Sequence, residues 1–362
     1  EDGRSILLLD QTLLPIEEKY LQLETVDAVA EAIRSLRVRG APAIGIAAAF
    51  GLAIGTSRRW AGAGKEGMEL GALEAGFRSD AQVLGSTRPT AVNLAWALDR
   101  MASVWDVAGG RGQRQVVEML KAEALAIARE DRWMCRLIGR HGLEVIPQTG
   151  GGILTHCNAG ALATGGMGTA LAPVYTAHAR GIPVRLFADE TRPLLQGGRL
   201  TAWEATRAGL DVTVITDSMA GALMAKGGVN LVIVGADRIA ANGDVANKIG
   251  TYAVALAARH HGLPFYVAAP WSTFDLDSSK GDQIPIEERD PGEVGRISGT
   301  DIVPTGVPVW NPAFDITPAH LVTAFITDGG ILRPPYAHAI SDLVAAGRDG
   351  VGSKTRSPQE EP

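Results

Sequence analysis

Two short segments of the 362-residue chain carry side chains suited to binding or transforming a ligand. The first, residues 155–160, reads Thr-His-Cys-Asn-Ala-Gly and places Cys157 at the end of an apolar run. The second, residues 235–239, reads Gly-Ala-Asp-Arg-Ile and places Asp237 after another apolar run. The positive field of backbone N–H groups at a helix N-terminus favours ionisation of a nearby cysteine to the thiolate, or the binding of an anion. These segments are the first candidates for a functional site.

The elements that must position these residues are buried parallel strands. Apolar runs recur at the spacing of βα units, and they show the lack of alternation that is typical of strands buried on both faces. The strands are predicted at residues 153–157, 184–190, 212–217, 231–237, 265–269 and 321–327. Ligands bind at the carboxyl edge of such a doubly wound sheet. We therefore expect Cys157 and Asp237 at that edge.

The rest of the chain predicts a second, smaller domain of mixed type. Alternation over residues 5–23 favours an antiparallel hairpin, and Thr25 can cap a helix over residues 28–36. A long amphipathic helix is predicted over residues 113–143. We thus expect an α/β protein with three parts: a small α+β domain at 1–146, a mostly parallel sheet domain at 147–345, and a disordered tail at 346–362.

Each polar residue at the predicted sheet edge has an alternative interpretation. Cys157 is either a reactive thiol just before a helix N-terminus or an ordinary packed cysteine. For Asp189 and Asp217 we favour helix caps. Asn247 and Lys248 are predicted to open a helix over residues 249–259, where they suit a phosphate or sugar hydroxyls.

Two further segments in the first part of the chain are suited to anions. The turn at Arg39, Gly40 and Ala41 has a leading arginine and small residues, so it suits either a phosphate or close helix packing. Arg88 precedes a proline at a predicted helix entrance, where it is either an anion clamp or a solvated side chain.

Composition excludes several classes of function. The net charge of −6, the 5% aromatic content and the lack of a basic cluster argue against nucleic-acid binding. The two cysteines form no zinc or disulfide pattern, which fits a reducing cytoplasm, and no membrane span is expected. Neither a dinucleotide-binding nor a P-loop glycine motif is complete, so a nicotinamide-dependent dehydrogenase is disfavoured.

Taken together, the motifs resemble those of the methylthioribose-1-phosphate isomerases. The resemblance spans about residues 5–340 and is carried by dense motifs in the order of that family, at residues 39–45, 155–160, 189–193, 235–239 and 247–251. It implies a small N-terminal domain, a Rossmann-like C-terminal domain and a homodimer. It also implies conversion of 5-methylthioribose 1-phosphate to 5-methylthioribulose 1-phosphate in methionine salvage, with no metal and no nucleotide cofactor.

The same resemblance implies roles for particular residues. Cys157 and Asp237 correspond to the catalytic pair of the family, and a poorly solvated carboxyl group at Asp237 would suit a general acid. The substrate contacts fall on Arg39, Gly40, Ala41, Arg88, Gln196, Asn247 and Lys248. Related isomerases act on 5-deoxyribose 1-phosphate or ribose 1,5-bisphosphate. The regulatory subunits of a eukaryotic guanine-nucleotide exchange factor are similar but non-enzymatic, so a sugar-phosphate-sensing subunit is the rival hypothesis.

Overall fold

The computed structural model describes residues 5–63, 68–89, 91–108 and 110–352, with side chains up to residue 346. The chain divides into two compact units. The first unit comprises Glu1–Cys135, Asn158–Gly168 and Arg199–Arg207, and the second comprises Arg136–Cys157, Thr169–Gly198 and Ala208–Pro362. The division thus falls after Cys135 rather than after residue 146, and two short segments from the second half of the chain belong to the first unit.

The first unit combines an antiparallel hairpin with a group of helices. The hairpin pairs β1, Ile6–Leu9, with β2, Tyr20–Leu23. The Thr25 hydroxyl accepts the N–H of Ala28 at 3.2 Å, so the predicted hairpin and helix cap are confirmed. The helices are α1 Val26–Arg34, α2 Ala41–Gly62, α3 Leu70–Gly85, α4 Val92–Ala108 and α5 Gln113–Gly142, the last continuing into the second unit.

Helix α2 is the apolar centre of the first unit. Ala48, Ala49 and Leu52 are completely buried within it. A Cβ atom added at Gly45 would lie 2.7 Å from the main-chain oxygen of Asn93, so the small residues do allow close packing against α4. By length and composition α2 could cross a membrane, but 72% of its apolar stretch is buried inside the structure, as in the core helix of a globular protein.

The second unit is built mainly from strands. In chain order they are β3 Gly151–Thr155, β4 Val184–Asp189, β5 Asp211–Ile215, β6 Leu231–Val234, β7 Arg238–Ala240, β8 Val245–Lys248, β9 Phe265–Ala268, β10 Phe274–Asp275, β11 Arg296–Ile297, β12 Thr300–Asp301, β13 Phe314–Thr317, β14 Ala324–Thr327 and β15 Gly330–Leu332. The remaining helices are α6 Leu171–Ala179, α7 Ala202–Arg207, which belongs to the first unit, α8 Ala220–Ala225, α9 Thr251–His260, α10 Gly292–Gly295 and α11 Tyr336–Gly352.

Among the described residues, the largest sheet has seven strands in the order β15-β14-β9-β6-β3-β4-β5. All neighbouring pairs are parallel except β14 with β15. The six parallel strands follow the Rossmann order, in which the chain starts at the centre, builds outward to one side and then returns to build the other. The prediction of a mostly parallel, Rossmann-like sheet is confirmed. The strand order reverses between β3 and β6, which are direct neighbours.

A second sheet, which the sequence did not reveal, stands in the order β10-β7-β8-β13. Strands β7 and β8 form an antiparallel hairpin directly after β6, and β13 pairs with β8 so that Asp315 lies opposite Asn247. The prediction that Asn247 and Lys248 open a helix is therefore wrong. Both residues end β8, and α9 begins only at Thr251, after Gly250 in the left-handed conformation.

The segments with weak sequence patterns contain short elements. Within the polar stretch 272–306, predicted as a long loop, lie β10, α10 and the hairpin of β11 and β12. At the end of the chain α11 continues to Gly352. The first residues of the predicted disordered tail are thus helical, and residues 353–362 lie outside the described part of the chain.

Candidate active site

The candidate site of the second unit lies where the strand order of the large sheet reverses. Cys157 follows β3, and Asp237 follows the adjacent strand β6. Both side chains are half-buried. The main-chain N–H of Asp237 donates to the carbonyl of Ala246 at 3.0 Å, so the hairpin of β7 and β8 fixes its backbone. The crevice at such a switch point is the usual ligand site of a doubly wound sheet.

The backbone at Cys157 has an uncommon conformation. Its φ is +66°, in the left-handed region that few non-glycine residues adopt. Its N–H donates to the Thr191 hydroxyl at 2.8 Å. Thr191 follows β4 and has a φ of +67° itself. Residues in such conformations cluster at functional sites, where the surrounding structure must hold them.

The expectation that Cys157 precedes a helix N-terminus is wrong. A single 3-10 turn, Ala161–Ala163, comes next, and α6 begins only at Leu171. The small-residue run packs on itself instead, because Gly168 has a φ of +94° and a Cβ there would lie 2.4 Å from the Cα of Gly160. The segment after Cys157 therefore provides no helix N-terminus for this thiol.

His156, which directly precedes Cys157 in the sequence, forms a buried pair with Asp189. The His156 Nδ1 lies 3.0 Å from Asp189 Oδ2, and its Nε2 lies 2.8 Å from the carbonyl of Ile249. A carbonyl can only accept, so Nε2 carries a proton, and Nδ1 and the Asp189 carboxyl group share another. Burial lowers the pKa of His156, but the hydrogen bond and charge of Asp189 outweigh it and raise that pKa.

The two carboxylates predicted as helix caps have other roles. Burial raises the pKa of Asp189 although the His156 hydrogen bond opposes this, and the pair thus holds its shared proton to a higher pH than usual. Asp217 accepts the N–H groups of Thr191 and Arg192, both at 2.8 Å. It therefore shapes the turn after β4 rather than capping a helix.

A cluster of possible metal ligands among the described residues comprises His156, Asp189 and Asp217, whose ligand atoms lie within 4.8 Å of one another. Most of these atoms already bond to groups of the protein: the His156 ring bonds to Asp189 Oδ2, and both Asp217 oxygens accept backbone N–H groups. Asp189 Oδ1 is buried, and no described residue bonds to it. The arrangement is that of a hydrogen-bond network that fixes the ends of β3 and β4.

Three predicted binding residues of the second unit have contrasting surroundings. Gln196 is 6% exposed, and no described residue bonds to its Oε1, so this acceptor suits a ligand hydroxyl group. Asn247 is buried and donates to the Thr251 hydroxyl at 3.0 Å. The Lys248 Nζ donates to the carbonyl of Ala313 at 2.9 Å and lies 4.6 Å from the centre of the Phe314 ring.

The other predicted binding residues belong to the first unit. Both terminal nitrogens of Arg39 donate hydrogen bonds to Asn158, one to its side-chain oxygen at 2.6 Å and one to its main-chain oxygen at 2.7 Å. Asn158 is the residue that follows Cys157 in the sequence. Gly40 has a φ of +94°, and a Cβ there would lie 2.6 Å from the Cα of Ala163. Only glycine fits this turn.

The last two of these residues stand at helix entrances. Ala41 is the first residue of α2 and is half-buried. Arg88 lies in the turn between α3 and α4, where its carbonyl accepts the N–H of Ala91 at 3.0 Å. Its side chain is half-buried rather than fully solvated.

Sequence reasoning missed three residues that shape the site. Thr191 and His156 lie inside motifs that were recognised, but their bonds to Cys157 and Asp189 join segments far apart in the chain. Asp315 accepts the N–H groups of Gly250 and Tyr252 and so caps α9 from another strand. No local pattern of the sequence could reveal these three contacts.

The chain is similar over most of its length to proteins of known name. Residues 37–334 match the initiation factor 2 subunit family. A methylthioribose-1-phosphate isomerase from Heliobacterium modesticaldum is 57% identical over 92% of this chain and 95% of its own length. A 5-deoxyribose 1-phosphate isomerase from Moorella thermoacetica is 53% identical over 95% of this chain and 96% of its own.

Two solved structures are similar over nearly the whole chain. The 5-methylthioribose 1-phosphate isomerase of Pyrococcus horikoshii OT3 is 44% identical with a TM-score of 0.88, covering 96% of this chain and 95% of that one. The delta subunit of translation initiation factor eIF-2B from A. fulgidus is 43% identical with a TM-score of 0.83, covering 95% of this chain and 98% of that one.

Proposed function

The chain belongs to the initiation factor 2 subunit family, and from this premise we propose that it is an aldose–ketose isomerase. Its substrate is 5-methylthioribose 1-phosphate and its product 5-methylthioribulose 1-phosphate, in methionine salvage. One observation carries the proposal: Cys157 and Asp237 follow the adjacent strands β3 and β6, where the Rossmann order reverses. Relatives named for this activity, more than half identical to the chain, support the choice of reaction.

We assign catalysis to Cys157 and Asp237 and substrate binding to seven other residues. In the second unit the binding residues are Gln196, Asn247 and Lys248, and in the first they are Arg39, Gly40, Ala41 and Arg88. The buried Oε1 of Gln196, to which no described residue bonds, supports its part in the assignment. For the residues of the first unit the family resemblance is the support.

The chemistry requires a ring to open and a hydrogen to move. The phosphate on the anomeric oxygen locks the sugar as a ring, so an acid must protonate the ring oxygen while the bond from that oxygen to C1 breaks. The Asp237 carboxyl group supplies this proton and, as a carboxylate, later accepts the proton of the C2 hydroxyl group. The acid is thereby regenerated, and the substrate and product remain isomers.

Two routes carry the hydrogen from C2 to C1. In the first, the Cys157 thiolate removes the C2 proton to give an enol phosphate, and the thiol then returns a proton to C1. In the second, the hydrogen moves with its electron pair directly from C2 to C1, and Cys157 lies beside the migrating centre. Substrate deuterated at C2 separates them, because a direct shift keeps all of the label and a proton transfer loses part of it to water.

The group at C5 is the open variable of substrate choice, since one relative is named for 5-deoxyribose 1-phosphate. Turnover of 5-methylthioribose 1-phosphate, 5-deoxyribose 1-phosphate and ribose 1,5-bisphosphate by the purified protein tests this. We expect the highest kcat/KM for the methylthio sugar. A higher kcat/KM for one of the other two sugars would support the proposed isomerase reaction but replace the proposed substrate.

A non-enzymatic role is the second candidate, because a similar structure carries the name of a translation initiation factor subunit. A sugar-phosphate-sensing subunit would bind these compounds without converting any of them. Calorimetric binding of 5-methylthioribose 1-phosphate with no turnover of the three sugars would therefore favour that role over the isomerase.

We further propose that the protein acts in the cytoplasm as a homodimer on this small substrate, without a metal or nucleotide cofactor, nucleic acid or membrane. The family resemblance supports these assignments, together with a composition that lacks a basic cluster. Light scattering of the purified chain should give twice the mass of one 37.9 kDa chain. The mass of a single chain would contradict the dimer.

A further inference from the structure

Cys157 and Thr191 form a pair of strained residues at the ends of neighbouring strands. Their φ angles are +66° and +67°, and a β-branched residue such as threonine is a true outlier there. The N–H of Cys157 donates to the Thr191 hydroxyl at 2.8 Å. The two unusual conformations are thus joined by a direct hydrogen bond.

The bonds around Thr191 fix the direction of its hydroxyl group. The same oxygen that accepts from Cys157 donates its own hydrogen to the carbonyl of Asp189 at 3.0 Å. The N–H of Thr191 donates to Asp217 Oδ1 at 2.8 Å, and the residue is 0% exposed. Donor and acceptor are therefore both committed, and the hydroxyl joins the end of β3 to the end of β4.

The identity of residue 191 matters because its backbone would favour glycine. Glycine adopts positive φ angles without strain, whereas threonine is strained there and brings a hydroxyl group. A backbone strained in this way persists only when other contacts hold it. The hydroxyl and the N–H of Thr191 bond to Cys157, Asp189 and Asp217, and its carbonyl accepts the N–H of Leu195 at 2.7 Å.

We propose that Thr191 is a positioning residue of the isomerase reaction: its hydroxyl holds Cys157 in the left-handed conformation that presents the thiol at the switch point of the sheet. A strained turn at a strand end displays the nucleophile of other enzymes in a comparable way. The inference rests on the proposed function, because it concerns the setting of the cysteine that we assign to catalysis.

The test compares substitutions that separate the hydroxyl from the backbone strain. Thr191→Val keeps the shape and removes the hydroxyl, and it should lower kcat about 100-fold, the cost of a slightly misplaced catalytic group. KM should change less than about threefold, because Cys157 acts mainly in the transition state. Thr191→Ser keeps the hydroxyl and should stay within about threefold of the wild-type kcat.

Two further variants exclude a purely structural role. Thr191→Gly removes both the strain and the hydroxyl, so it should fold at least as well as Thr191→Val and still lose kcat. Thr317→Val is the matched control, since Thr317 is also 0% exposed and no described residue bonds to its hydroxyl. Its kcat should equal that of the wild type.

The outcomes distinguish this inference from the proposed function. Wild-type kcat in folded Thr191→Gly or Thr191→Val would overturn the positioning role while leaving the isomerase intact. If the wild type converts none of the three sugar phosphates, the proposed function fails. The rate at which iodoacetamide labels Cys157 then tests the positioning alone: Thr191→Gly must change that rate, and an unchanged rate overturns the inference.

Discussion

The two cysteines of the chain lie in surroundings that differ in almost every respect. Cys135 lies within helix α5, is 1% exposed, and has its Sγ 3.9 Å from Asp131 Oδ2. Burial, and then the charge of Asp131, raises the pKa of its thiol to about 12. Cys157 is half-buried at a strand end, in a left-handed conformation. The comparison teaches that access and backbone setting, rather than residue type, distinguish the thiol that we assign to catalysis.

Each cysteine also has an acidic residue associated with it. Asp131 accepts the N–H of Gly165 at 2.5 Å, and its burial raises the pKa of the carboxyl group to about 6. Asp237 is half-buried beside the switch point, and we assign it to catalysis. One pair is therefore expected to affect stability, and the other to affect turnover.

The largest effect should come from replacing one cysteine and not the other. Cys157→Ser should lower kcat by about a thousandfold or more with little change in fold, because serine is a far weaker acid and nucleophile. Cys135→Ser, the matched control, should keep kcat within about twofold. Steady-state kinetics with circular dichroism checks both, and near-normal turnover by Cys157→Ser would remove the thiol from the mechanism.

Replacing Asp237 and replacing Asp131 should have contrasting effects on kcat, as for the two cysteines. Asp237→Asn should lower kcat by about a hundred- to ten-thousandfold, the usual contribution of a general acid. Asp131→Asn should leave kcat close to that of the wild type. Equal losses in the two variants would mean that Asp237 matters only for the fold.

Asp131 should instead determine part of the pH dependence of stability. Its folded-state pKa of about 6 lies above the ordinary value of 3.8, so the folded protein holds more protons between these values. Its contribution to the free energy of unfolding is therefore full below pH 4 and is lost as the pH rises through 6. The difference between these two pKa values corresponds to about 3 kcal/mol of the free energy of unfolding.

Urea unfolding at several pH values measures this contribution. An asparagine side chain cannot ionise, so the Asp131→Asn variant should lose that part of the decline between pH 4 and 6 and gain stability relative to the wild type at pH 7. Burial raises the pKa of Asp189, Asp315 and Asp328 in the same direction, and the difference between variant and wild type removes their effect. Parallel curves for the two proteins would contradict the buried acid at residue 131.

The smallest effect concerns binding by the first unit. Arg88→Ala should raise KM about tenfold and change kcat less than about threefold, because a charge-assisted contact to phosphate is present in both the ground and the transition state. Arg78→Ala, which removes an exposed arginine of the same unit, should change neither constant. An unchanged KM for Arg88→Ala would show that this side chain does not meet the substrate.

Much of the large sheet could be predicted from the sequence. The runs ending at Cys157 and Asp237 are apolar on both faces, and burial on both faces leaves that signal in each strand by itself. The order of the strands could not be read in this way, because it depends on pairing between distant segments. Only the structure shows that β3 and β6 are neighbours.

The features that escaped prediction depend on contacts between distant parts of the chain. Asn247 lies in a strand because β13 pairs with it, although the local sequence favours a helix entrance. The glycine-rich run after Cys157 is compatible with a helix, a turn or a loop, and packing between Gly160 and Gly168 decides for the turn. Gln196 was predicted to bind substrate only from the family resemblance, because no local sequence pattern points to it.

The central claim, that Cys157 is an accessible thiol of a substrate site, is tested most directly by alkylation. With a pKa of about 12, about one Cys135 thiol in ten thousand is ionised at pH 8, and its burial blocks the reagent as well. Iodoacetamide should therefore label Cys157 at least about a hundred times faster than Cys135.

Mass spectrometry of the labelled peptides, with and without 5-methylthioribulose 1-phosphate, gives the decisive result. We predict that the ligand slows the labelling of Cys157. We also predict that the fraction of activity lost equals the fraction of Cys157 that is labelled. Preferential labelling of Cys135 would show that Cys157 is a packed structural residue, and labelling of Cys157 that the ligand does not slow would show that this thiol lies outside the substrate site.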